Sequence, residues 1–158
     1  MESIQTKSKF RSKKKIISLI NHISGMEETV IKISGKRDDP FFNIIESGLE
    51  KALAGESELC SKILNMRGLS GRKFRILMNE LIKKFKKPKY LEIGSWFGSS
   101  ACSAAYNNEL EITCIDNWSQ TFNSNLKPRK IFLQNKNIFI SKKNKLEIIE
   151  KDFREVDY

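Results

Sequence analysis

The residues best suited to chemistry lie in "KYLEIGSWFGSSACSAAY", residues 89–106, in a chain otherwise crowded with lysine. After Lys89, Glu92 is the one charged residue in this run, and it stands two positions before Gly94. Gly94 and Gly98 bracket a turn; glycines there let the chain bend sharply and let a ligand approach the backbone. Ser99 and Ser100 open a small-residue helix whose free N–H groups suit an anionic ligand group. Asp116 closes the next apolar segment, 22 residues after Gly94. Doubly wound folds hold an acid at that place to bind a ribose diol.

Two cofactor classes compete for such a site. A dinucleotide calls for G-x-G-x-x-G, but counting from Gly94 puts Trp96 and Ser99 at the second and third glycine positions. An indole there would obstruct a pyrophosphate. S-adenosylmethionine has no phosphate and carries an ammonium and a sulfonium, which the Glu92 carboxylate would suit. Plainer roles stand beside these. Glu92 could pair with a lysine, the glycines could serve only the turn, and Asp116 could cap the following loop. Trp118 and Phe122 could simply pack that loop.

The elements that must position these residues follow from periodicity. "KKKIISLINHIS" sets Ile16, Leu19, Ile20 and Ile23 at helical spacing, and residues 28–36 read as a short strand or loop. Asp39 and Pro40 open a helix with Phe41, Ile45, Leu49 and Leu53 as its apolar stripe, closed by Gly55. Glu56–Met66 reads as another helix, with Leu59, Ile63 and Leu64 inward. "SGRKFR" reads as a helix entry, with a basic contact for an anionic substrate as the alternative. Phe74, Leu77, Met78, Leu81, Ile82 and Phe85 then give the strongest helical pattern, stopped by Pro88. From Lys89 onward strands alternate with helices: "YLEIG", the small-residue helix ended by Asn107 and Asn108, "EITCID", a helix from Pro128 to about Ile138, and "LEIIEKDF". That alternation predicts a parallel sheet of right-handed βαβ units. The expected organisation is a basic tail with a short amphipathic helix over 1–25, a helical region over 26–87, and the sheet-bearing part over 88–158.

At these motifs the chain resembles a known family. "YLEIGSWFGSS" is similar to motif I of class I S-adenosylmethionine-dependent methyltransferases, in the macrocin O-methyltransferase-like group. "CIDNWSQ" resembles the second-strand motif, "IIEKDF" the third, and "GLSGRKFR" the stretch that precedes motif I. The resemblance spans roughly residues 65–158. It implies an α/β fold: a partial Rossmann-like, doubly wound, parallel methyltransferase sheet preceded by an N-terminal helical region. It implies that Glu92, Gly94, Ser95 and Gly98 surround the methionine part of the cofactor. Asp116 would bind the ribose hydroxyls, Asn117 and Trp118 would flank the nucleoside, and Asp152 with Phe153 would lie near the adenine. Family members continue with a fourth strand and more, which supply substrate, base or metal residues. The expectation is therefore a cofactor half-site, with the catalytic residues unassigned, no metal ligand named, and the sequence before Tyr158 inactive on its own.

Composition bounds the partners. The formal net charge is +10, but "KSKFRSKKK" and "KKFKKPK" hold six and five of the 29 basic residues, so much of the excess is local. A small-molecule acceptor is the expected partner; nucleic acid is the less favoured one. Cys60, Cys102 and Cys114 have no metal-like spacing and fit a reducing compartment. No apolar run reaches the ~18 residues that a membrane span needs, so the expected location is the cytoplasm. His22 is the sole histidine and reads as structural or exposed. Cys102 and Cys114 read as small apolar core residues. Two other functions remain open: a nicotinamide-dependent Rossmann oxidoreductase, and a non-enzymatic basic module that binds nucleic acid.

Overall fold

The structure, a computed structural model, describes residues 34–122 and 125–157. The basic tail, the amphipathic segment at Ile16–Ile23 with His22, and most of residues 28–36 lie outside the described residues.

Three five-residue strands form a parallel sheet in the order β1-β2-β3: β1 Lys89–Ile93, β2 Glu111–Ile115 and β3 Lys145–Ile149. The register sets Glu92 opposite Cys114 and Cys114 opposite Ile148. The strands begin in step because Glu111 N–H donates to Pro88 O and Lys145 N–H to Leu110 O. Beyond the strands the ladder runs one rung further, from Gly94 N–H to Ile115 O and from Asp116 N–H to Ile149 O.

The helices, in chain order, are α1 Pro40–Ala54, α2 Ser61–Leu64, α3 Arg72–Ile82, α4 Ser99–Ala105 and α5 Pro128–Phe139. A short 3-10 turn follows at Phe153–Glu155. The crossover helices α4 and α5 pack on one sheet face. There Ala101, Ala104, Ala105 and Phe132 bury Ile112 and Cys114, with Tyr90, Leu146 and Ile148 at the margin. Small residues along α4 let it lie close to the strands. Strand alternation turns Leu91 and Ile93 to the opposite face, where they stay half exposed. The crossover helices thus cover one face of a three-stranded parallel sheet, and it is at this level that the expected α/β fold is seen.

Helices α1 and α3 extend the layer outward, α1 on α3 and α3 on α4. This stacking corrects two expected apolar stripes. In α1 the buried residues are Phe42, Gly48 and Ala52, whereas Phe41 and Ile45 are exposed. The small Gly48 sits against Leu77 and Leu81, where a Cβ would meet them at 3.2 and 3.3 Å, so the close approach of α3 decides which face turns inward. In α3, Phe74 is exposed, as is Phe85 just beyond the helix; Arg75, Ile76, Asn79 and Glu80 are buried, together with Ile82 of the expected stripe. This helix lies between two others, and its buried face sets Ile76 and Ile82 beside polar side chains that bond to its neighbours. Asn79 Nδ2 donates to Ser103 O and Tyr106 O at 2.8 Å each, and Lys51 Nζ meets Glu80 Oε2 at 2.6 Å.

The expected helix over Glu56–Met66 shrinks to the four residues Ser61–Leu64. Ser57 Oγ accepts from Leu59 N–H instead, a local turn that competes with the helix. The third strand ends at Ile149, and its exit leads into the 3-10 turn, which the Asp152 side chain starts by accepting from Arg154 N–H. The start of α1 is as read: Asp39 Oδ1 accepts from Phe41 N–H at 2.8 Å, and Gly55 closes the helix with φ 73°.

Candidate strand-end site

The carboxyl ends of β1 and β2 carry the site. Tyr90 and Glu92 share the helix-covered face of β1 because side chains two apart lie on the same side. Glu92 is 7% exposed. Tyr90 OH donates to its Oε2 at 2.8 Å, and its Oε1 has no hydrogen-bond partner among the described residues. No lysine or arginine pairs with it there either. Burial raises its pKa above the ordinary 4.5; the Ser100, Tyr90 and Ser95 hydroxyls act against that shift and the Asp116 charge adds to it. Beneath it, Cys102 and Cys114 are fully buried, and burial pushes both thiols up to about 12. They are neutral, inert core groups.

The turn after β1 is built on three residues with left-handed backbone: Gly94 at φ 81°, Trp96 at φ 44° and Gly98 at φ 76°. Ser95 O accepts from Gly98 N–H at 2.6 Å and closes it. The two glycines serve different ends. A Cβ at Gly94 would meet nothing within 4 Å, so only its φ and the open space beside it call for glycine. A Cβ at Gly98 would press on the Phe132 ring at 2.8 Å, so α5 packs directly on that backbone. Ser95 is buried and its Oγ has no partner among the described residues.

Asp116 ties the turn to the loop after β2. Its Oδ2 accepts from Trp96 N–H and its Oδ1 from Trp118 N–H, both at 2.6 Å. Trp118 also has positive φ, 50°, and its Nε1 donates to Trp96 O at 3.0 Å. Left-handed backbone at two tryptophans costs of order 1–3 kcal/mol each, and one carboxylate offsets it by bonding both amides. Trp96 stacks on Phe97 with centroids 3.8 Å apart, Phe122 meets Trp96 edge-on, and Trp118 tilts against Phe132.

The chain matches no protein-family model, and no curated protein or solved structure is significantly similar to it.

The structure brings Glu92, Gly94, Ser95, Gly98, Asp116 and Trp118 together around one turn. Asn117 and Asp152 lie further out and touch one another weakly, Asn117 Nδ2 to Asp152 Oδ2 at 3.4 Å. Asp152 is engaged by Arg154, whose Nε and Nη2 meet it at 2.8 and 2.7 Å. Those bonds hold its pKa down to about 2. Phe153 is 48% exposed, with the Arg154 guanidinium 5.9 Å from its ring centre.

Three contributors were not anticipated. Tyr90 holds one oxygen of Glu92; its place two residues before the acid was the available signal. Trp96 is a strained member of the turn rather than an obstacle at its rim. Arg75, inside "SGRKFR", is 2% exposed and entirely structural. Its Nη1 donates to Ile63 O and Leu64 O at 2.8 and 3.2 Å, and its Nε to Ser70 Oγ at 3.1 Å. Ser70 Oγ in turn meets Ser99 Oγ at 3.0 Å. The segment before β1 is thereby pinned to the start of α4.

Proposed function

We propose that this chain forms the cofactor-binding part of an S-adenosylmethionine-dependent methyltransferase acting on an oxygen or nitrogen acceptor. The observation that carries the reading is Glu92: a buried carboxylate near the end of β1 with no cation beside it among the described residues, one oxygen held by Tyr90 OH, the other in no hydrogen bond of good geometry, and only the Ser95 and Ser100 hydroxyls close by to ease its charge. An uncompensated buried acid is expensive to keep. It becomes favourable when a ligand cation arrives, and strongly perturbed acids of this kind gather at functional sites. The unpartnered Ser95 hydroxyl and the open side of Gly94 fit the same amino-acid end of a ligand.

When bound, the cofactor would supply an electrophilic methyl group on a sulfonium. The chain's own residues would hold it. Glu92 and Ser95 would take the ammonium group. The open Gly94 side would admit the methionine chain. Asp116, whose oxygens each keep a lone pair after bonding Trp96 and Trp118, would accept from ribose hydroxyls. Asn117 and Trp118 would flank the nucleoside, and Asp152 with Phe153 the adenine. Rate enhancement would rest on holding donor and acceptor in line. No base is assigned.

Isothermal titration with S-adenosylmethionine and S-adenosylhomocysteine tests this. Both should bind, and Glu92→Gln should weaken both. Asp116→Ala should cost roughly 1–3 kcal/mol as a ribose acceptor is lost. Reduced nicotinamide cofactors should not compete. Undiminished affinity in both variants would remove these carboxylates from the site; tighter binding of a nicotinamide cofactor would favour the oxidoreductase alternative.

A further inference from the structure

A concavity lies apart from the strand-end carboxylates. It is a cavity of about 350 Å³ between the α2 segment and α5, with Met66, Phe97, Ile131 and Ile138 among its walls and Lys62 and Arg67 at its edge. That volume falls at the small end of ligand pockets, roughly 300–1,000 Å³. Its lining contains no acid. Neither Lys62 nor Arg67 forms an ion pair among the described residues. Arg67 lies against Phe97 instead, its guanidinium carbon 5.8 Å from the ring centre.

The walls are fixed from behind. Buried Arg75 holds the Ile63 and Leu64 carbonyls and so secures the short helix that carries Lys62. Gly68, next to Arg67, runs hard against α4: a Cβ there would meet Ser99 Oγ at 2.1 Å. On the other side, Asn135 Nδ2 donates to Phe97 O at 2.9 Å and ties α5 to the turn. Ile138 is 68% exposed at the mouth. An apolar floor with two unpaired cations at its rim is complementary to an apolar body bearing an anionic group.

We propose that this cavity binds a small amphipathic anion, a ring or branched apolar body carrying a carboxylate or phosphate. Arg67 and Lys62 take the charge while Met66, Phe97 and Ile131 take the body. The site is independent of the strand-end reading, since it uses none of its carboxylates.

Titration calorimetry on the whole chain with naphthoate, naphthyl phosphate and neutral naphthalenemethanol tests it. At least one anion should bind about tenfold tighter than the alcohol, as a charge-assisted hydrogen bond would give. The tighter anion identifies the group. Arg67→Ala and Lys62→Ala should each weaken it several-fold, Arg67→Lys should keep most of the affinity, and Ile138→Asp should abolish it. All three positions are exposed, and circular dichroism checks that the helices persist. Undetectable binding of both anions, equal binding of the alcohol, or indifference to both alanine changes overturns the proposal.

Discussion

Glu92 sits one residue before the end of β1 and pairs with no lysine or arginine among the described residues. Burial raises its pKa, so the folded protein keeps a proton that the unfolded chain loses near the ordinary 4.5. The folded state then binds more protons, and stability falls as pH rises from that value through the raised one. The loss is up to about 1.4 kcal/mol per pH unit crossed. Glu92→Gln should therefore stabilise the ligand-free protein at neutral pH and change little below pH 4.5; urea melts across pH read this directly. Equal stability at both pH values would mean that the acid is compensated. The two glycines separate just as clearly. Gly98→Ala should destabilise more than Gly94→Ala, because both strain a positive φ but only the former strikes Phe132. Gly94→Val should leave the helix content and remove cofactor affinity. Thermal melts and titrations of the three variants test this, and a Gly94→Val protein that binds normally would make the turn merely structural.

Among the elements, the alternating strands and helices after Lys89 were the legible part. Two-residue and small-residue patterns leave few alternatives there; the start of β2 at Glu111 is as read, and β1 begins one residue before the expected Tyr90. The placement of Glu92 and Asp116 at the ends of β1 and β2 was legible for the same reason, since a strand end is a position in sequence. The helical segment was harder. Period alone says which residues are apolar, and α3 buries Arg75 and Asn79 on their hydrogen bonds to carbonyls of α2 and α4. Nothing in one sequence announces such long-range carbonyl partners. The same holds for the Asp116 bonds to two tryptophan amides, which need two loops brought together. The structural role of Arg75 has a consequence. Arg75→Met should destabilise by about 2 kcal/mol by leaving buried carbonyls unsatisfied, and Arg75→Lys should recover little because a point charge cannot span three acceptors. Chemical denaturation measures both; a neutral Arg75→Met would show that water replaces the guanidinium.

For the molecule as a whole, the sheet order leaves β1 with one hydrogen-bonded neighbour among the described residues, and Leu91 and Ile93 are 51% and 50% exposed on the face without the crossover helices. An apolar strand edge of this kind invites pairing. Sedimentation velocity should show concentration-dependent association that Leu91→Lys reduces, and a monomer at every concentration would mean that the edge is guarded. No helix among the described residues is long and apolar enough to cross a membrane. The central claim, that the strand ends of β1 and β2 hold S-adenosylmethionine, is tested most directly by titrating the nitrogen-15-labelled chain with S-adenosylhomocysteine and following amide shifts, which register weak binding as well as tight. The account predicts saturable shifts concentrated at Glu92–Gly98 and Asp116–Trp118, and their loss in Glu92→Gln. Absence of shifts at millimolar ligand, or shifts confined to the groove at Arg67 and Ile138, would contradict it.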